Sequence, residues 1–428
     1  MTIGRRSPGG PPTTEGDEPS LTEVRSRGRL RGSMLLVGPA FVAAIAYVDP
    51  GNFATNFASG STFGYELVWV IIGANLMAMV IQSLSGKLGL ATGMSLPELC
   101  REHYPRPVTR GLWLQAEAVA MATDLAEVIG GAIALKLLFD VPLLTGGLIT
   151  GAVAFALLGM QSRGFRPFER VISGLLAVIF LGFLYNIVLV APSPAGVASG
   201  FVPTFSNTDS VLLAAGILGA TVMPHVIYLH SALTQRRVAA TSAPERKTLL
   251  RYQRIDVVVA MGLAGLVNLA MLVIAAELFF GSSIPATDTI EGVHTGLQTT
   301  LGESAALAFA LALLASGFAS SGVGTYSGQV VMQGFLRRQI PLVLRRAITL
   351  APALVVLALG VDPTQALIIS QVILSFGIPF ALVPLVLLTR RADIMGELVN
   401  RRVTTAVASV IAAIIIALNL FLLSQFLS

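Results

Sequence analysis

Stretches of about 20 apolar residues, each long enough to cross the hydrocarbon core of a bilayer as a helix, recur along this 428-residue chain. Eleven are counted, the first near 34–60, the sixth near 209–233 and the last near 403–427. Lipid offers no partner to a backbone N–H or C=O, so a chain built this way can only cross as helices or as a closed barrel, and runs of this length select helices. The expected fold class is therefore an all-α integral membrane protein of eleven spans. With 54% hydrophobic and 12% charged residues, the composition is too apolar for a soluble domain of this size.

The basic residues set the topology. All of the 28 Lys and Arg except Lys136 fall before the first span or in every second loop after it. Short loops rich in Lys and Arg stay cytoplasmic, which puts the N-terminus inside and the C-terminus outside. One missed or invented span would scramble this segregation. The net charge of +5 thus reflects orientation, and neither a nucleic-acid partner nor an obligate protein partner is expected. Cys100 stands alone, so one chain can form neither a disulfide nor a thiolate metal cluster. Residues 1–32 are rich in Gly, Pro, Ser, Glu and Arg and are expected to form a disordered cytoplasmic tail. They lack the apolar core of a cleaved signal peptide, and no apolar stretch follows Arg5-Arg6 at the distance a twin-arginine signal needs.

Two spans are interrupted at their centres, by Ala46-Tyr47-Val48-Asp49-Pro50-Gly51-Asn52 in the first and by Ala220-Thr221-Val222-Met223-Pro224-His225 in the sixth. Pro removes a backbone donor and Gly loosens the helix, so carbonyls near each Pro lose their helical partners. Spans one to five and six to ten each begin with such a break. Five is odd, so the two halves insert with opposite orientation, the inverted-repeat arrangement of many secondary transporters. The expected units are a first five-helix repeat over 33–191, a second over 192–389, and an eleventh helix in 390–428. That last helix is almost purely apolar and is expected to lie at the periphery without chemistry of its own.

Asp49 is an ionisable residue near mid-membrane, which is costly unless it faces a pathway or a partner; it can hold a cation or cap the half-helix that follows. Asn52 adds a neutral oxygen or serves as a cap. Met223 beside the second break supplies a thioether, a soft ligand suited to Mn²⁺, Fe²⁺, Co²⁺ or Cd²⁺ and poorly suited to Ca²⁺ or Mg²⁺. Carbonyls freed by the breaks, those of Ala46 and Ala220, can complete a shell. His225 suits proton handling as well as ligation or a satisfied polar role, and His230 a proton path or structure. His103 and His294 fall in loops with no special role. Glu117, Asp124 and Glu127 share one face of the third span; they read as a proton relay, as a salt-bridge set with Arg237, Arg345 or Arg346, or as both. The small and hydroxyl residues of the eighth span, Ser316 to Gln333, favour close helix packing. Gln371 in the tenth span can hydrogen-bond between helices or reach a metal. No His-Glu-x-x-His pattern and no phosphate-cradling Gly-Lys motif is present, so neither an enzyme nor an ATP-driven pump is expected.

These motifs closely resemble those of the Nramp family of proton-coupled divalent metal transporters, over essentially the whole chain after residue 33. Asp49-Pro50-Gly51-Asn52 and Met223-Pro224-His225 resemble the two family hallmarks, and Gly324 to Phe335 is similar to the family's transport signature. That segment departs with Phe318-Ala319 in place of Gln-Ser and with Gln333 where an acid is common. The resemblance implies the inverted-repeat fold of bacterial amino-acid symporters (the LeuT fold). It implies a transported metal held by Asp49, Asn52, Met223 and the Ala220 carbonyl, with the Ala46 carbonyl and Gln371 joining in particular states. It implies proton co-transport, alternating access, no cofactor, and a bacterial inner-membrane protein that carries manganese. The alternatives are a cation-coupled amino-acid symporter of the same architecture, which Asp49 disfavours by repelling a substrate carboxylate, a metal channel, and a membrane-embedded metal enzyme.

Overall fold

The structure is a computed structural model that describes residues 38–162, 165–235, 237–238, 242–337 and 341–427. The tail expected over 1–32 lies outside the described residues. The chain opens as a discontinuous helix: α1 (Pro39–Ile45), a 3-10 turn (Ala46–Val48) and, after Asp49, α2 (Pro50–Phe63). α3 (Val68–Thr92), a short loop helix α4 (Leu96–His103), α5 (Arg106–Phe139), α6 (Leu143–Ser162) and α7 (Phe165–Val190) complete the first half. After the connecting α8 (Pro194–Ser199) comes the second discontinuous helix, α9 (Thr208–Thr221) and α10 (Pro224–Thr234). α11 (Ala243–Leu278), the loop helix α12 (Ile290–Leu301), α13 (Glu303–Leu336), α14 (Leu342–Ala358) and α15 (Pro363–Thr389) follow. A turn of helix, α16 (Ala392–Met395), leads into α17 (Arg402–Leu427). Among the described residues there is no strand.

Among the described residues, eight stretches are long and apolar enough by themselves to cross a membrane: α3, α5, α7, α9 with α10, α11, α13, α15 and α17. The remaining expected spans, the first, fourth and ninth, coincide with α1–α2, α6 and α14. Proline at the first turn starts α2 and α10, where its missing N–H is no loss. Ser95 and Glu98 form a reciprocal capping box on α4.

The packing has the exchange expected of an inverted repeat. The broken helix of each half lies against the second helix of the other, α2 on α11 and α10 on α3. The third helix of each half lies against the fifth of the other, α5 on α15 and α13 on α7. The two third helices, α5 and α13, pack on each other. Close approach brings α5 onto the first break: a side chain at Gly130 would run into the Pro50 ring.

α17 packs mainly on α15, as an added peripheral helix should. It is not without chemistry, however. Asn419 Nδ2 donates to the Ser375 carbonyl at 2.8 Å, and Ser375 Oγ donates to Asn419 Oδ1 at 3.0 Å. A single polar residue in an apolar run gave little sequence signal, but in a membrane interior it must find such a partner.

Candidate metal site

Asp49 is extended (φ −70°, ψ 169°) between the 3-10 turn and α2, while Val222 (φ −110°, ψ 59°) and Met223 (φ −63°, ψ 120°) separate α9 from α10. Pro50 lies four residues after Ala46, and Pro224 four after Ala220. Each proline therefore withholds the N–H that a continuous helix would offer to that alanine's carbonyl.

Several other carbonyls of the breaks find partners, some from neighbouring helices and some from the turn that follows. Asn268 Nδ2 donates to the Tyr47 carbonyl at 2.8 Å, and Ser316 Oγ to that of Val48 at 2.7 Å. The Asn52 and Phe53 N–H groups donate to the Asp49 carbonyl at 3.0 and 3.4 Å. At the second break Ser327 Oγ donates to the His225 carbonyl at 2.7 Å, and the Val226 N–H to that of Met223 at 3.2 Å. Ser316 and Ser327, whose small size alone suggested close packing, thus also satisfy backbone exposed by the breaks. Their spacing along α13 gives no hint of that role, because their partners lie more than 100 residues away in the chain.

The side chains at the breaks are left open by contrast. The Asn52 N–H donates to Asp49 Oδ1 at 2.8 Å, so Asp49 does cap α2. Among the described residues, Asp49 Oδ2, both polar atoms of the Asn52 side chain and Gln371 Oε1 have no hydrogen-bond partner. Asp49, Asn52, Met223 and Gln371 are all 0% exposed. A buried polar atom without a partner is costly, so a convergence of them marks a place where something else is meant to bind.

Three contacts show that the two breaks and Gln371 converge. The Ala46–Val48 turn packs against α9. The Gln371 side chain lies over Gly51, where any Cβ would collide with it. The Gln371 carbonyl abuts Gly219, one residue before Ala220. These contacts bring the backbone of the two breaks together with Gln371, and the buried residues Asp49, Asn52 and Met223 stand on those breaks. Among the described residues no group of three or more His, Cys, Asp or Glu side chains converges, so the donor set is a mixed one.

His225 Nδ1 lies 3.2 Å from Thr123 Oγ1, and its Nε2 has no hydrogen-bond partner among the described residues. His230 Nδ1 lies 2.8 Å from Gln82 Oε1, and Gln82 Nε2 donates to Tyr47 Oη at 2.5 Å. This bridge from α10 through α3 to the first break is absent from any sequence spacing.

The stripe on α5 finds two of its three expected arginines. Arg345 pairs with Glu117 at 3.3 Å, and Trp113 Nε1 donates to the same carboxylate at 3.2 Å. Arg346 pairs with Asp124 and also reaches Ser321 Oγ. Glu127, 1% exposed, packs against Gly324, and its Oε2 has no partner among the described residues. Arg237 goes elsewhere: just past the end of α10, it pairs with Glu169 of α7 at 3.0 Å, beside Gly38. Sequence reasoning also missed Asp256 of α11, which accepts from the Gly38 and Ala40 N–H groups at 3.1 and 2.9 Å and caps α1. Its signal was an acid near the start of the seventh apolar run, but the partner across 216 residues was not readable.

With this geometry in place, the chain can be set beside known proteins. The profile of the family described as natural resistance-associated macrophage protein-like, Nramp, matches residues 40–425. The divalent metal cation transporter MntH of Deinococcus radiodurans is 50% identical over 431 residues, covering 99% of each chain. The crystal structure of a manganese transporter mutant from Eremococcus coleocola superposes with a TM-score of 0.84 at 31% identity, covering 95% of this chain and 91% of that one. Mhp1, a nucleobase-cation-symport-1 family transporter in a closed conformation, has a TM-score of 0.60 at 15% identity over 90% and 91% of the chains. At that identity the likeness speaks for the fold alone, and the fold is that of inverted-repeat symporters.

Proposed function

The chain belongs to the Nramp family, and from that premise we propose that it imports Mn²⁺, with Fe²⁺, Co²⁺ and Cd²⁺ as further cargo, by proton-coupled alternating access. It is a multi-pass membrane transporter, and we place it in a bacterial inner membrane with its N-terminus in the cytoplasm. The observation that carries the reading is the set of open polar atoms of Asp49 Oδ2 and Asn52 at the first break and of Gln371 over it, with Met223 buried at the second break. Asp49 would supply the charge, and Asn52 with the Ala46 and Ala220 carbonyls the neutral oxygens. Met223 would supply selectivity, because replacing an oxygen by a thioether penalises Ca²⁺ and Mg²⁺ far more than Mn²⁺. Gln371, already seated over Gly51, would close the shell when the site is occluded.

The proton route we assign runs from His225 and Glu127, each with an atom free to take a proton, along α5 through Asp124 to Glu117. Arg346 and Arg345 pair with the last two. His230 would report on the first break through Gln82 and Tyr47. Arg237, tied to Glu169 beside the start of α1, would act in closing that end rather than in carrying protons. An inward-negative potential assists a divalent cargo by about 4.6 kcal/mol per 100 mV.

Liposomes holding the full chain, with Mn²⁺ outside and a pH dye inside, test the reading at fixed inward-negative potential. Mn²⁺ entry with acidification of the lumen, both lost with Asp49→Ala, is the expected result. Entry without acidification would reduce the α5 stripe to structure. No entry from a folded sample would reject the metal reading in favour of an amino-acid substrate.

A further inference from the structure

A second feature lies away from the breaks. Between the outer faces of α7 and α11 is a groove of ≈ 300 Å³, closed at one end by Pro192 and Val197 of the α8 segment. Every residue lining it is apolar, including Phe183 and Val267 on the floor and Leu184 and Leu266 at the rim. The rim residues Leu184 and Leu266 are exposed, as are Leu181 and Val188 of α7 and Val258 and Val259 of α11, so the groove opens onto the surface that faces lipid. Its volume equals that of about ten waters, and apolar walls give water no hydrogen-bond partner. Hydrocarbon fills such a space without loss, and this protein lies in a solvent of hydrocarbon chains.

The closed end of the groove has a polar marker. Glu277 is one helical turn beyond the lining residue Val273. Its Oε2 accepts from Tyr65 Oη and, at 3.3 Å, from the N–H of Ser193, the residue after Pro192. Tyr65 in turn packs against Gly196, next to Val197. Glu277 is exposed, with room for a further donor. By helix order this membrane face also carries Glu66, Glu291 and Glu303, whereas Lys136 is its sole basic residue. A headgroup with an amine suits that rim, and a purely anionic headgroup is repelled by it.

The floor of the groove connects to the site. The Phe183 ring stands edge-on to Phe53 at 5.2 Å and tilted to Phe57 at 6.2 Å. Phe53 follows Asn52 directly on α2. An occupant of the groove therefore backs the ring that supports the half-helix carrying the open Asn52 donors.

We propose that this groove is a lipid site holding one acyl chain of a phosphatidylethanolamine, with its ammonium at Glu277 and its chain against Phe183. The proposal depends on membrane embedding and not on the identity of the cargo. The test reads lipid retention without transport: native mass spectrometry of the full chain released from nanodiscs of equal phosphatidylethanolamine and phosphatidylglycerol with identical acyl chains. The wild type should keep one ethanolamine lipid. Ala270→Trp, which fills the groove, should lose it while still binding Mn²⁺ in calorimetry, and Glu277→Gln should keep both lipids alike. Should Ala270→Trp not fold, Val197→Trp fills the closed end instead. Equal retention by the wild type and a folded filled variant, or a wild-type preference for phosphatidylglycerol, would overturn the proposal. Because Mn²⁺ binding is measured separately, a wrong cargo assignment would show there and leave the lipid result readable.

Discussion

At the first break Asp49 accepts from the Asn52 N–H and closes the N-terminus of α2, whereas at the second Met223 occupies the same cap position of α10 and has no oxygen to offer. The backbone plan is shared: an alanine carbonyl four residues ahead of a proline, a residue in extended conformation, then a new helix. The side-chain plan is not. One break carries a negative charge that serves its own helix and still has a free oxygen. The other leaves the positive end of α10 without a side-chain cap and presents only sulfur and a carbonyl. The two halves thus share a backbone geometry, and the proposed division into attraction at one break and discrimination at the other would come from the residues that differ between them.

Substitutions can break this division. The largest effect is expected at Asp49. Asn is as good a cap as Asp, so Asp49→Asn should preserve the fold while Mn²⁺ binding in calorimetry falls by about 100-fold or more with loss of the charge, a difference of about 2.7 kcal/mol or more. Asp49→Ala should add a cap loss of about 1 kcal/mol, visible as a lower melting temperature than that of Asp49→Asn. Equal binding by the wild type and Asp49→Asn would show that the charge is not what holds the cation.

A smaller effect is expected at Met223. Met223→Ala should weaken Mn²⁺ binding by about tenfold, about 1.4 kcal/mol, while Ca²⁺ begins to compete in the uptake assay. Unchanged rejection of Ca²⁺ would remove selectivity from the second break and end the contrast drawn above. The smallest effect on binding is expected from Ser316→Ala and Ser327→Ala. Each strands one break carbonyl and should cost about 1–3 kcal/mol of stability, read by chemical unfolding in detergent, with Mn²⁺ affinity nearly unchanged. A loss of affinity as large as that of Met223→Ala would mean that the serines hold ligands in place as well as backbone.

Much of this was legible beforehand because membrane embedding is a strict rule. Uninterrupted apolar runs marked helices, and proline with glycine marked the breaks. The side chains at those breaks stood out for the same reason: Asp49 has no cheap place in lipid except at a site. What stayed hidden were choices of partner. The spacing of Glu117, Asp124 and Glu127 gave their common face but not that Arg345 and Arg346 would take two of them while Arg237 turned to Glu169. Asp256 looked like an acid at the edge of an apolar run until α1 was seen resting on it. The two-way bond of Asn419 with Ser375 was invisible in a helix otherwise built for lipid.

That last bond has a mechanical consequence. α15 is a rod of 27 residues, and Ser375 lies near its middle, one turn from Gln371. A rod pinned near its centre rocks about the pin, so its ends travel far while the pinned turn hardly moves. In the proposed rocking cycle Asn419 would make Ser375 a fulcrum, with Pro379 and Pro384 in the arm beyond it. Gln371 would then stay over Gly51 while the ends of α15 swing, and the helix that seemed least involved in the chemistry would fix the point of turning.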